Sequence, residues 1–60
     1  MTRYYCKGTF SAALLEALED RGASATDHEA LVLVETDNLA EEVYDLLVGA
    51  GVEISIVEDI

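Results

Sequence analysis

The stretch Ala30-Leu31-Val32-Leu33-Val34-Glu35 decides the fold. Successive side chains of a strand point to opposite faces, and here both alternating sets are apolar. A strand that is apolar on both sides belongs inside a sheet, with a neighbour at each edge and something packed on each face. Polar, turn-prone residues bound it, Thr26-Asp27-His28-Glu29 before and Thr36-Asp37-Asn38 after.

The flanking segments supply its neighbours. On the N-terminal side, Arg3-Tyr4-Tyr5-Cys6-Lys7 reads as a strand, because aromatic residues favour a pleated surface. Tyr4 and Cys6 fall on one face, Arg3, Tyr5 and Lys7 on the other, and Gly8-Thr9 ends it. A helix spans roughly Ser11 to Arg21, with Thr9 or Ser11 as its cap and Leu14, Leu15 and Leu18 at helical spacing. Gly22 sits where helices end in a left-handed turn. Ala23-Ser24-Ala25-Thr26 reads either as a short edge strand or as a loop, with a turn at Asp27-His28.

On the C-terminal side a second helix is expected from about Asn38 to Val48, with Asn38 and Glu41 spaced as a capping box and Asp37 as an alternative cap. Leu39, Val43, Leu46, Leu47 and Ala50 form its apolar stripe, and Gly49-Ala50-Gly51 ends it. Val52 to Val57 alternates. That predicts Val52, Ile54 and Ile56 toward the core, Glu53, Ser55 and Val57 away from it, and a frayed end at Glu58-Asp59-Ile60.

Composition restricts what the chain does. Thirteen acidic residues face three basic ones, a formal net charge of −10 with a pI near 4.1. Neither nucleic acid nor an anionic membrane is an expected partner, since phosphate binding gains affinity from basic residues. No secretory signal, lipidation motif or membrane span is legible. One cysteine allows no internal disulfide and suits a reducing, cytoplasmic compartment. One histidine leaves an all-protein zinc site short of ligands, so no metal is expected. A chain this short buries only about 60% of its unfolded surface, which makes self-association an attractive source of stability.

With residues 23–26 as a strand, the element order is β-α-β-β-α-β: an α+β, four-stranded antiparallel sheet with both helices on one face. With those residues as loop, it is β-α-β-α-β on a three-stranded parallel sheet. Leu31 to Asp37, Leu39 to Leu47 and Gly51-Val52-Glu53-Ile54 together resemble a small ferredoxin-like domain of the ACT regulatory type. That resemblance implies a non-catalytic regulatory or interaction module. The loop after the first strand is shorter than the turn where such modules bind an amino acid, and no cofactor is expected. In its dispersed acids and near-absence of lysine the chain is also similar to proteins of salt-loving archaea, which implies adaptation to molar salt.

Helices on one sheet face leave the other open. Arg3, Tyr5, Lys7, Val32, Val34, Glu53, Ser55 and Val57 are placed there as an association surface, for a homodimer or for docking onto a larger protein. Two other functions are weighed. Cys6 could serve a small thiol enzyme or redox accessory, given a base within reach such as His28. Glu16, Glu19, Glu41, Glu42 and Asp45 across the helices could mimic nucleic acid toward a basic protein. No catalytic residue is assigned; Cys6 reads as core and His28 as a surface turn.

Overall fold

The computed structural model describes residues 1–37 and 40–60. The order is β1 (Thr2–Lys7), α1 (Ala12–Asp20), β2 (Ser24–His28), β3 (Leu31–Thr36), α2 (Ala40–Gly49) and β4 (Glu53–Asp59). The strands form one antiparallel sheet in the order β2-β3-β1-β4. This is a ferredoxin-like α+β arrangement, and the three-stranded parallel alternative is set aside because Ser24–His28 pairs along its length with β3. The doubly apolar strand is internal, as its composition requires.

Both helices end in the same way. Gly22 and Gly51 adopt φ of +75° and +80°. Behind Gly22, the Ala23 N–H donates to the Leu18 carbonyl and the Gly22 N–H to that of Glu19, at 2.9 Å each. Behind Gly51, Val52 donates to Leu47 at 3.2 Å and Gly51 to Val48 at 3.1 Å. These are Schellman closures, with a left-handed glycine and an apolar residue folded back onto the last turn. Leu18 with Ala23, and Leu47 with Val52, bury that contact in the core. At the start of α1, Ser11 is the cap, its hydroxyl accepting from the Leu14 N–H at 3.1 Å. The proposed cap Asn38 and the stripe residue Leu39 lie outside the described residues.

The core lies between helices and sheet. Leu14 and Leu18 of α1, Val43 and Leu47 of α2, Tyr4 and Cys6 of β1 and Val34 of β3 meet there. The Tyr4 hydroxyl donates to the Ala40 carbonyl at 2.9 Å, which satisfies a phenol that burial would otherwise leave costly. Register settles the faces: Tyr4 pairs with Val34 and Cys6 with Val32. Val34 is 0% exposed and Val32 packs against the core, so both face the helices and not the open side. Leu31, Leu33 and Glu35 take the open positions instead, Leu33 directly opposite Tyr5 and Glu35 opposite Arg3.

A second correction comes from β4. Tyr5 pairs with Ile56 but Cys6 with Ile54, so Ser55 is one residue too many. Such a bulge reverses the alternation beyond it. Ile54 faces the helices and Glu53 faces away, as the pattern predicts. Past the bulge, Ile56 shares the face of Tyr5 and Val57 that of Tyr4, the reverse of the expectation. The C-terminus is not frayed either. Strand β4 continues to Asp59, and the Ile60 N–H donates to the Met1 carbonyl at 2.8 Å.

The β2–β3 turn is two residues later than expected. His28 pairs with Leu31, leaving Glu29-Ala30 as a two-residue hairpin with Glu29 at φ +57°. A residue with a Cβ pays about 1 kcal/mol for a left-handed backbone, and Glu29→Gly is expected to stabilise the fold by about that amount in denaturant titrations. The face assignment predicts a larger contrast. A fold of this length is worth roughly 3–9 kcal/mol at ~0.05–0.15 kcal/mol per residue. Val34→Asp puts an unpaired charge in the core and should abolish the folded circular dichroism spectrum, whereas Leu33→Asp should retain it.

Candidate interaction surface

The open face of the sheet is built from three rows of side chains running across the strands. The middle row is Thr26, Leu33, Tyr5 and Ile56, cross-strand neighbours in that order. One flank is Ser24, Glu35, Arg3 and Glu58. The other holds His28 beside Leu31, and Lys7 beside Glu53. An apolar stripe therefore lies between two polar ones.

The polar groups are tied to each other. Arg3 Nε donates to Glu35 Oε2 at 3.0 Å, an ion pair that raises the guanidinium pKa further. The Tyr5 hydroxyl donates to Glu58 Oε1 at 2.7 Å, and that bond raises the phenol pKa. On its other side the Tyr5 ring meets the His28 ring edge-on, with centroids 5.4 Å apart. His28 is thus the last residue of β2, seated over the sheet, and not a free turn residue. Tyr5 joins all three rows, held by a carboxylate on one flank and an imidazole on the other.

Charge is distributed unevenly. Two of the chain's three bases, Arg3 and Lys7, lie on this face with Glu35, Glu53 and Glu58, so it carries a net of about one negative charge. The other ten of the thirteen acids share the remaining surface with Arg21 alone. Nearly all of the −10 is therefore carried away from the open face.

Of the eight residues placed here from sequence, Arg3, Tyr5, Lys7 and Glu53 are on the surface. Val32 and Val34 face the helices, Val57 lies on the helix side at the sheet margin, and Ser55 sits in the bulge. Sequence reading missed Leu31, Leu33, Ile56 and the Tyr5–His28 contact. No residue of 52–57 signals the bulge, since adjacent apolar residues such as Ile56-Val57 fit an unbroken strand as well as a bulged one.

Cys6 is 0% exposed and burial pushes its thiol up to about 11. A nucleophilic cysteine needs the opposite shift. Among the described residues no three His, Cys, Asp or Glu side chains converge as a metal would require. One depression of about 130 Å³ is lined by Met1, Gly22, Ser24, Glu35, Thr36 and Asp37, and another of about 330 Å³ by Leu15, Glu19, Ala23, Ser24 and Ala25. The helix carboxylates Glu16, Glu19, Glu41, Glu42 and Asp45 are all exposed. Arg21 interrupts them. Its Nη1 donates to the Ala17 carbonyl at 3.1 Å, and its buried Nε approaches Glu42 at 4.0 Å without hydrogen bonding. No described helix is long and apolar enough to cross a membrane.

The chain matches no family model, no curated protein and no solved structure.

The buried thiol has a pH signature. Its pKa is raised from 9.0 to about 11 by folding, so its stabilising effect is intact below pH 9 and is lost as pH climbs through 11. Two units correspond to about 3 kcal/mol. Tyr4 and Tyr5 are also raised, by burial and by the Glu58 hydrogen bond respectively, and they act in the same direction at alkaline pH. Unfolding free energy measured from pH 8 to 11 should fall less steeply for Cys6→Ala than for the parent chain.

Proposed function

We propose that this chain is a non-catalytic interaction or regulatory module that pairs with a second copy of itself through its open sheet face. The observation that carries the reading is the charge map: a chain of net −10 keeps one face close to neutral and lays Leu33, Tyr5 and Ile56 across its middle. A surface selected only for hydration would place acids there too. Ordering Tyr5 between Glu58 and His28 in advance reduces the entropy lost on association. The flanks suit a two-fold partner, since a face bearing both Arg3 and Glu58 offers each charge an opposite one on its copy.

The setting we infer is the cytoplasm of a salt-rich cell, where an unpaired, buried thiol stays reduced. At molar salt the Debye length falls to about 3 Å, which removes the long-range repulsion between two acidic protomers. Apolar association remains, and the dispersed carboxylates hold the hydration shell. The face is small. Four strands at ~4.8 Å spacing and six residues at ~3.3 Å rise give a footprint of roughly 400 Å². That is about half the area per partner of a standard stable interface, so the dimer is expected to be weak and concentration-dependent.

Sedimentation equilibrium in molar salt should show a monomer–dimer equilibrium that moves toward monomer as salt is lowered within the folded range. Leu33→Glu should be monomeric with an unchanged circular dichroism spectrum. A parent chain that stays monomeric at millimolar concentration, or a Leu33→Glu variant that dimerises as the parent does, would rule the proposal out.

A further inference from the structure

A second surface lies at the margin of the sheet. Strand β4 is the last in the sheet, and at seven residues it is the longest. Its outer backbone edge has no strand beside it among the described residues. Apart from the half-buried Ile54, every residue from Glu53 to Asp59 is exposed, including Ile56 at 51% and Val57 at 53%. A long exposed edge with apolar side chains is a template for another strand.

The helix side of this edge continues the apolar surface. Val57 neighbours Tyr4, whose ring lies 6.1 Å from that of Tyr44 on α2. Tyr44 and Val48, one turn apart on that helix, are 46% and 53% exposed. An added strand would set alternate side chains against this strip, as strand-addition complexes do. The other edge offers no equivalent. Strand β2 is shorter, its sequence is Ser-Ala-Thr-Asp-His, and it has no exposed large apolar residue.

Charge selects the occupant. Glu53 stands at one end of β4 and Glu58 with Asp59 at the other. The bases that face them, Lys7 and Arg3, are one strand inward on β1. A second copy of β4 fits poorly. Antiparallel pairing centred between Ser55 and Ile56 sets Glu53 against Glu58 of the other copy, two acids that share the open side of the sheet, and parallel pairing in register sets each acid against itself. Like charges directly opposite one another destabilise a sheet. A basic segment meets the same positions with the opposite sign.

We propose that the outer edge of β4 takes up an extended segment of a basic partner protein by strand addition, with Lys or Arg near both ends and β-branched residues between. The backbone edge is separate from the open face, though Glu53, Ile56 and Glu58 border both, and an added strand would widen the sheet without covering that face.

The test is a titration of isotope-labelled protein, at the lowest salt that preserves its folded spectrum, with the acetylated heptapeptide Lys-Val-Thr-Val-Thr-Val-Lys. Its counterpart carries glutamate at both ends. The lysine peptide should shift amide resonances along Glu53–Asp59 and at Tyr44 and Val48, at least tenfold more tightly than the glutamate peptide. Glu53→Lys combined with Asp59→Lys should reverse that preference, and Leu33→Glu should bind as the parent does. The inference is overturned by shifts centred on the open face or on β2, by no shift at millimolar peptide, or by a preference that the double charge reversal leaves unchanged.

Discussion

The pairing of β1 with β3 is the constraint on which the rest of this structure depends. It sets Tyr4 against Val34 and Cys6 against Val32, and so commits those four side chains to the helix side. The same register commits Tyr5, Leu33, Arg3 and Glu35 to the other side. A slip of one residue would exchange the two sets and leave leucines where the helices now find valines. Every later feature follows from this commitment: what the helices cover, what is left uncovered, and which ion pair forms on the open face.

A chain of 60 residues with one cysteine cannot rely on a covalent staple. Its economy lies in repeated local solutions. Each helix is closed by a left-handed glycine followed by an apolar residue, and each closure delivers the chain directly into an edge strand. The Tyr4 hydroxyl bonds the first turn of α2, which fixes that helix over the strand pair. The termini pair with each other, so β1 and β4 are joined to their ends. What this does not supply is cover for the second sheet face, and that shortfall is the physical reason to look for a second polypeptide there.

Most of the fold was legible in the sequence, and the misses have identifiable causes. The internal position of β3 follows from its apolar character on both sides. That same character conceals its phase, because Leu31 and Leu33 are as apolar as Val32 and Val34. Only the partner strand, where Tyr4 and Cys6 contrast with Arg3 and Lys7, breaks the tie, and it does so through a register the sequence does not display. Strand β2 has no alternating apolar pattern and is held by its ladder to β3, so tertiary pairing overrides weak local preference. The turn at Glu29-Ala30 contains neither glycine nor asparagine, so its left-handed residue carries no signal. The bulge at Ser55 left no trace, because an alternating segment such as Val52 to Val57 reads as a regular strand and the extra residue shows only in the pairing to β1. For the surface, the charged half was legible from β1 and Glu53. The apolar half was not, because it depends on the phase of β3 and on the bulge.

Isotope-filtered nuclear Overhauser spectroscopy reads whether a second copy covers the open face. A sample mixing labelled and unlabelled chains in molar salt reports only contacts between protomers. The face-to-face pairing predicts cross-peaks from the Tyr5 ring and the Leu31, Leu33 and Ile56 methyls to the other copy, with none from Val34 or Val43. Intermolecular cross-peaks confined to the helices or the strand edges, or their absence at a concentration where the chain is dimeric, would contradict it.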